Sequence, residues 1–170
     1  MSRTQFIEYR GRGFWAHDVS LGVFLKHLID VAADHGAASG SQWLTEAIPT
    51  WRRVAVISDF GLNLNGKWTE AQLAAFLNLI DDTCASLDKR DGISVDEIRS
   101  WRILNDVGIS TRGMDMVRIG PVVQLGRAIT ALVNGSLPAA PACTWWLYGI
   151  ENGPGTVRKR SDAENVERPN

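Results

Sequence analysis

Residues 67–102, KWTEAQLAAFLNLIDDTCASLDKRDGISVDEIRSWR, predict two consecutive helices, and the rest of the chain is interpreted around them. Thr69 can cap the first helix, and Gln72 follows at the spacing of a capping box. Ser94 and Glu97 repeat that spacing at the second helix. Both helix starts are therefore predicted closely from local signals.

The first of these helices carries one apolar stripe, typical of a helix that faces a core. The stripe consists of Leu73, Phe76, Leu77, Ile80, Cys84 and Leu87. The turn that follows resembles the end of a calcium loop, but Gly92 and Glu97 are five residues apart, where that loop requires six. Its first position also falls on Leu87. We therefore interpret the turn as a helix cap and expect no metal site.

Composition is typical of one soluble globular domain. The chain has 170 residues, of which 45% are hydrophobic and 22% charged, and its net charge is −1. The 18 basic residues are scattered among 19 acidic ones, so no basic excess indicates nucleic-acid binding. Two cysteines are too few for a disulfide framework, and no apolar run has the length of a signal peptide or membrane span. We expect a cytoplasmic protein that does not enter a membrane.

Three further helices are predicted. One begins at Asp18 and stops at Gly36, and one begins at Ser41 and is kinked or divided at Pro49. The last begins at Pro121, which suits the first position of a helix. The predicted fold class is therefore mainly α, a compact bundle of about five helices.

Short strands are compatible with three segments, namely residues 5–15 near the N-terminus, residues 58–66 and residues 144–150. Residues 1–150 are predicted to form a single, mostly helical domain. Residues 151–170 contain few large aliphatic side chains and mix charges of both signs, so they are predicted to form a flexible tail.

Candidate partner-binding residues lie in two loop segments. Residues 105–120 are punctuated by glycines and held between helices, and loops of this length are often functional. Together with residues 58–66, they supply the candidates Asp59, Asn63, Asp106, Arg112, Asp115 and Arg118. The alternative is that these side chains pair with one another or with water.

No recognisable catalytic motif is present. His17 and Asp18 are adjacent in sequence, so their side chains are not expected to face each other as an acid/base pair. His27 and His35 are eight residues apart and lack the short spacing of metal ligands, so we interpret them as solvated helix surface. We expect no enzyme, cofactor or metal. The seven tryptophans fit either a core or an interface, and core is favoured for most of them.

One segment resembles a known group of proteins. The sequence RGRGFWAHDVSLGVFLKHLI, followed by a tryptophan-bearing helix, an FGLNLN loop and a capped helix, resembles small bacterial immunity proteins encoded beside polymorphic or contact-dependent toxins. The resemblance covers Arg10 to Leu87 and rests on general pattern. It implies a cytoplasmic protein that binds and neutralises a cognate protein toxin, without a catalytic group of its own.

Two other functions remain open. A regulatory or nucleic-acid-binding protein would use the helix-surface arginines Arg52, Arg53, Arg99 and Arg102. A small enzyme would build its site from loop residues around Asp59 and Arg112. The sequence leaves the oligomeric state undetermined.

Overall fold

The computed structural model describes residues 4–39 and 41–160, with the side chains of residues 36–39 left out. The strands of this part are β1 (Thr4–Tyr9), β2 (Arg12–His17), β3 (Leu62–Asn63), β4 (Gly92–Ser94), β5 (Met116–Arg118), β6 (Thr144–Tyr148) and β7 (Gly155–Arg158). The helices are α1 (Asp18–Ser39), α2 (Gln42–Val56), α3 (Glu70–Leu87), α4 (Val95–Ser100) and α5 (Ile119–Val133).

The fold is α/β, so the prediction of a mainly α bundle is wrong. Five strands form one mixed sheet in the order β3-β1-β2-β6-β7, and β4 pairs with β5 in a second, two-stranded sheet. Strands do occur in the three segments where the sequence allows them. They join into one five-stranded sheet instead of lying as isolated short strands on a helical bundle. The pairing of β2 with β6 joins residues far apart in sequence, and such pairing leaves no local signal.

The N-terminal hairpin forms one side of the sheet. Strands β1 and β2 are antiparallel, with Phe6 opposite Trp15 and Ile7 opposite Phe14. The two residues that connect them, Arg10 and Gly11, have φ of +50° and +77°. Positive φ at both positions is typical of the two-residue hairpin turn whose twist matches that of the strands. Arg10 and Gly11 therefore form the hairpin turn, and β2 begins at Arg12.

The other side of the sheet is built from the C-terminal segment. Strand β6 runs parallel to β2, and β7 pairs with it antiparallel, with Trp145 opposite Val157. Residues 155–158 of the predicted flexible tail are therefore an edge strand. Residues 161–170 lie outside the described residues, as does any prediction made for them.

Helix α1 is the centre of the core and contacts α2, α3 and α5. Its Leu21, Phe24 and Leu25 are 0% exposed. The helix was predicted to stop at Gly36, but it continues through that glycine to Ser39. Helix α2 likewise continues through Pro49 as a single helix of 15 residues.

The predicted capping of the central helices is confirmed at α3 and half confirmed at α4. Thr69 and Gln72 make both bonds of the capping box. At α4 the Ser94 hydroxyl accepts from the backbone N–H of Glu97, at 3.2 Å, but the Glu97 carboxylate pairs with Arg90 instead of turning back to the cap. An opposite charge within reach therefore replaces the second bond of the box.

Strands β4 and β5, which directly precede α4 and α5, pair with each other and so link the starts of these two helices. Ile93 pairs with Val117, and the backbone bonds Val95 N–H to Asp115 O and Ile119 N–H to Asp91 O extend the ladder at both ends. Residues 88–94 connect α3 to α4 and include β4. In the part of the chain that the structure describes, no group of three or more His, Cys, Asp or Glu side chains could hold a metal ion.

Candidate functional site

One face of the five-stranded sheet belongs to the protein core. Helix α1 contacts β2, and α5 contacts β1, β2 and β6. The core residues of this inner face are all at most 7% exposed and are Gln5, Ile7, Tyr9, Phe14, Ala16 and Tyr148. The burial of alternate residues follows from strand geometry, since successive side chains point to opposite faces.

The opposite face of the sheet carries an apolar surface that we call the aromatic face. It consists of Phe6, Trp15, Trp145, Leu147 and Val157. These side chains are half-buried, and they are not part of the core cluster or of the partly buried residues packed against it. The other five tryptophans are either buried or packed on the core. Five of the seven tryptophans are therefore core residues or pack on the core, and Trp15 and Trp145 lie on the aromatic face outside it.

Phe6 lies at the centre of the aromatic face. Its ring centroid is 5.2 Å from that of Trp15 and 5.2 Å from that of Trp145, and both pairs meet edge to face. Gly13 makes this position available to the ring, because a Cβ at Gly13 would lie 2.7 Å from a Phe6 ring carbon and 2.1 Å from the carbonyl oxygen of Ile7. The Lys159 ammonium lies 4.3 Å from the Trp145 ring centroid. The face is thus a continuous cluster bordered by a cation.

A groove lies beside the starts of the parallel strands β2 and β6. Their ladder pairs Trp15 with Leu147 and Ala16 with Tyr148. A cleft of about 440 Å³ is lined by residues 11–13 and residues 144–146. We call this cleft the split groove. Trp145 lines it and also belongs to the aromatic face, so the two surfaces are continuous.

The remaining wall of the split groove is formed by α5 and the segment that follows it. Leu132 and residues 137–140 line this side. The Trp146 indole N–H donates a 2.8 Å hydrogen bond to the carbonyl of Pro138, which fixes the wall against β6. Among the described residues, Arg12 and Lys159 are the charged residues that line the groove, and no described acidic side chain lines it. The groove therefore has aromatic and main-chain walls and a positive potential.

A buried ion pair ties the 105–120 loop to the start of α1. Nε of Arg112 donates to the Asp18 carboxylate at 2.8 Å, and Asp18 is only 6% exposed. The same carboxylate accepts from the backbone N–H of Val19, and Nη2 of Arg112 reaches Ser58 Oγ at 3.3 Å. Arg112, a predicted partner contact, therefore has partners within the chain.

The side chains beside this ion pair do not form a nucleophile and base. Ser20 Oγ lies 3.5 Å from Nδ1 of His17 but donates a 2.6 Å hydrogen bond to the carbonyl of Gly149. Activation by a base requires the hydroxyl proton to point at that base. Burial lowers the pKa of His17, while the charge of Asp18 raises it and that of Arg112 lowers it further. The cluster holds α1 to two loops.

The other predicted site residues are exposed and spread over several elements. Asp59 lies in the turn after α2 and Asn63 on β3, whereas Asp106 lies in the turn that joins Leu104 to Val107. Asp115 precedes β5 and Arg118 ends it, with Nε of Arg118 3.9 Å from Glu151. The structure brings Arg112 to Ser58, the neighbour of Asp59. The other predicted residues lie on different strands and turns.

The two helix histidines lie in different environments. His27 is half-buried, with its ring edge-on to Trp101 at 5.6 Å, and its Nε2 is buried without a hydrogen-bond partner among the described residues. Its interpretation as solvated surface is therefore wrong. His35 is exposed, 3.4 Å from Asp82, beside a cleft of about 630 Å³ between α1, α2 and α3.

The arginines considered for nucleic-acid binding lie beside acidic side chains. Arg52 and Arg102 line a cleft of about 210 Å³ together with Lys26 and Asp30. Arg99 lies 3.8 Å from Asp96. The acidic partners reduce the positive potential that phosphate contacts require.

Comparison with protein-family models, curated proteins and solved structures finds no match to this chain. None of the helices in the described residues combines the length and the apolar character that a membrane span requires. Sequence reasoning did not single out the aromatic face. The signal that could have found it is the alternation of aromatic and buried residues in strands β1, β2 and β6, together with the adjacent Trp145 and Trp146.

Proposed function

We propose that this protein binds a partner protein through the aromatic face, and that the partner is a cognate bacterial toxin domain which it neutralises. The observation that carries the proposal is that Phe6, Trp15 and Trp145 lie together, half-exposed and outside the core. Tryptophan and other large aromatic side chains are the commonest anchors of protein interfaces. A cluster of three on a rigid sheet is a preorganised binding surface.

The physical basis is the low entropic cost of ordering such a surface. The rings already contact one another and are mounted on paired strands, so binding immobilises few rotatable bonds. Glu8, His17 and Lys159 occupy the borders of the face and supply the polar rim that interfaces usually have. Neutralisation of a toxin by this means needs no catalytic group, because covering an active site or an adjacent surface is sufficient.

The toxin as partner rests on the resemblance of Arg10 to Leu87 to immunity proteins. The proposed location is the cytoplasm of the producing cell, where the toxin would otherwise act. The loop residues Asp59, Asn63, Asp106, Asp115 and Arg118 remain a second proposed contact surface, because all five are exposed.

The test is co-purification with the product of the adjacent gene, combined with growth of cells that express both. The parent protein should form a complex and restore growth. Trp15→Ala combined with Trp145→Ala should weaken the complex by about a hundredfold or more, since central aromatic anchors each contribute about 2 kcal/mol or more. The matched control is Met116→Ala, which removes an exposed apolar side chain, 40% accessible, from the second sheet.

Three results would each decide the matter differently. Failure of the parent protein to bind or protect would overturn the toxin as partner. Full binding by the double tryptophan variant, with loss of binding in Asp115→Arg, would assign recognition to the loops. Loss of binding in Met116→Ala alone would place the contact on β5.

A further inference from the structure

We propose that a small cleft between α2 and the segment that precedes α3 binds a quaternary ammonium group. The cleft has a volume of about 140 Å³, and three tryptophans, Trp43, Trp51 and Trp68, line it. We call it the tryptophan cleft. Sites for drug-sized ligands have roughly 300–1,000 Å³, so this cleft suits a compact group. The inference goes beyond the proposed function, because it needs neither the aromatic face nor a toxin.

One wall of the tryptophan cleft lies on a single face of α2. Helical spacing brings together the lining residues Trp43, Glu46, Ala47 and Thr50. Trp51 follows on the same helix and is only 3% exposed, so it forms the bottom of the cleft. The α2 wall is therefore aromatic and carries one carboxylate.

The opposite wall is held in place by the turn before α3. The backbone N–H of Lys67 donates to Oδ1 of Asn65 at 2.9 Å, and that of Trp68 donates to the Asn65 carbonyl at 3.3 Å. Trp68 directly precedes Thr69, whose capping box fixes the start of α3. Local hydrogen bonds therefore position the Trp68 backbone before any ligand binds.

The aromatic rings of the cleft meet at a corner. The Trp43 and Trp68 ring centroids are 5.3 Å apart, and the ring planes are inclined at 69°. Phe76 supports this corner from the core, 4.9 Å from Trp68 and 5.8 Å from Trp51. A compact cation can contact two rings at a corner, whereas a flat sugar ring stacks on one open ring face. Indole is the aromatic ring that attracts cations most strongly.

The charge of the cleft also favours a cation. Glu46 is the one ionisable side chain among the described lining residues. Its Oε1 accepts from Nε2 of Gln42 at 3.2 Å, and none of the ion pairs in the described part of the chain includes it. The described cations that lie over aromatic rings contact rings outside this cleft. A bound cation would therefore meet both indole rings and an uncompensated carboxylate.

A quaternary ammonium group fits these walls better than a primary one. A primary ammonium is strongly hydrated and has three N–H donors that need acceptors. A quaternary ammonium has no N–H group, so contact with indole rings leaves no donor unsatisfied. The proposed ligand class is therefore the trimethylammonium group, which occurs in choline-type molecules and in trimethylated lysine.

The experiment titrates the full chain with choline and follows the indole N–H signals by NMR. The comparison ligand is the neutral alcohol in which a tert-butyl group replaces the trimethylammonium group. The signals of Trp43, Trp51 and Trp68 should shift. Choline should bind at least about fivefold more tightly than the neutral alcohol, because the ring faces and Glu46 attract only the cation.

Two variants test the two sources of that preference. Glu46→Gln should lower the choline affinity about threefold or more and leave the affinity for the neutral alcohol unchanged. Trp43→Leu keeps an apolar wall but removes a ring face, so it should reduce the preference for choline. Glu46 is exposed, so its variant carries the test if a melting curve shows that Trp43→Leu is unfolded. The control Glu151→Gln changes an exposed carboxylate outside the cleft and should have no effect.

Equal affinities for choline and the neutral alcohol would overturn the proposal. So would the absence of shifts in these indole signals at about 10 mM choline, since the proposal requires a dissociation constant in the millimolar range or below. Tighter binding of methyl glucoside than of choline would overturn it in favour of a sugar. A capped trimethyllysine distinguishes the sources: tighter binding than choline supports a modified protein, and weaker binding supports a small choline-type molecule.

Discussion

The two faces of the five-stranded sheet are built from adjacent residues and have opposite roles. Phe14 is 0% exposed and packs in the core, whereas its neighbour Trp15 lies on the aromatic face outside the core cluster. Gln5 and Phe6 also lie on opposite faces, but here the polar residue, Gln5, is the buried one and the apolar Phe6 is only half-buried. Hydrophobicity alone therefore does not tell which face is covered, because the position of the helices decides it.

The largest expected difference between the faces is in stability. Phe14→Ala should lower the free energy of unfolding by about 3–5 kcal/mol, because it leaves a cavity in a packed core. Trp15→Ala should lower it by about 1 kcal/mol, since it mainly removes one edge-to-face contact. Chemical denaturation of both variants measures the difference. Equal losses would mean that the aromatic face is part of the core.

A polar residue on the inner face offers a sharper comparison. The Gln5 amide nitrogen donates to the carbonyls of Val54, Ile57 and Phe60 at 3.1, 3.2 and 2.7 Å, at the end of α2. Gln5→Leu should cost about 2 to 3 kcal/mol, because it leaves carbonyl groups without their donor in a buried place. Thr4→Val, the matched change on the other face, should stay within about 0.5 kcal/mol. A stabilised Gln5→Leu variant would refute the role given to these bonds.

Acid should lower the free energy of unfolding through His27, which is on α1 in the helical part of the protein. The pKa of His27 is lowered to about 4, chiefly by burial; the charges of Lys26 and Arg90 also lower it, and those of Asp30 and Glu97 oppose them. The unfolded chain binds this proton near pH 6.5, so the folded state loses relative stability as the pH falls from about 6.5 to about 4. The full pKa difference corresponds to about 3 kcal/mol, and partial exposure reduces it to about 1 to 2 kcal/mol.

The pH dependence is measured as the difference in unfolding free energy between pH 7 and pH 4.5. His27→Leu should show a smaller difference than the parent, and Trp15→Ala should keep the parent's difference, since its site is on the other side of the sheet. If His27→Leu retained the whole of the parent's pH dependence, another group would have to account for it.

Local signals in the sequence were enough to place the helices. Thr69 and Gln72 form the capping box that their spacing predicts, and Asp18 starts α1 as expected. Helix α5 begins at Ile119, two residues before the predicted start at Pro121. The predicted long loop before it contains β5. These errors are small because a helix is defined by contacts within a few residues of each other.

The candidate site was less accessible to sequence reasoning. Arg112 was predicted to contact a partner, but it forms an ion pair with Asp18, which lies 94 residues away in the chain. Trp15 and Trp145 are ordinary strand residues until the packing of α1 and α5 on the other face is known. The split groove is lined by residues 11–13, 132, 137–140, 144–146 and 159, which only the folded chain brings together.

The sequence by itself predicted the approximate positions of the helices, the capping box of α3 and short strands in three segments. Only the tertiary structure decided that five of the strands join into one sheet, that the aromatic face lies outside the core cluster of the described residues and that a groove lies beside Trp145. The physical reason is range. Caps and turns are satisfied by neighbours along the chain, whereas a sheet is satisfied by strands such as β2 and β6, which only the folded chain brings together.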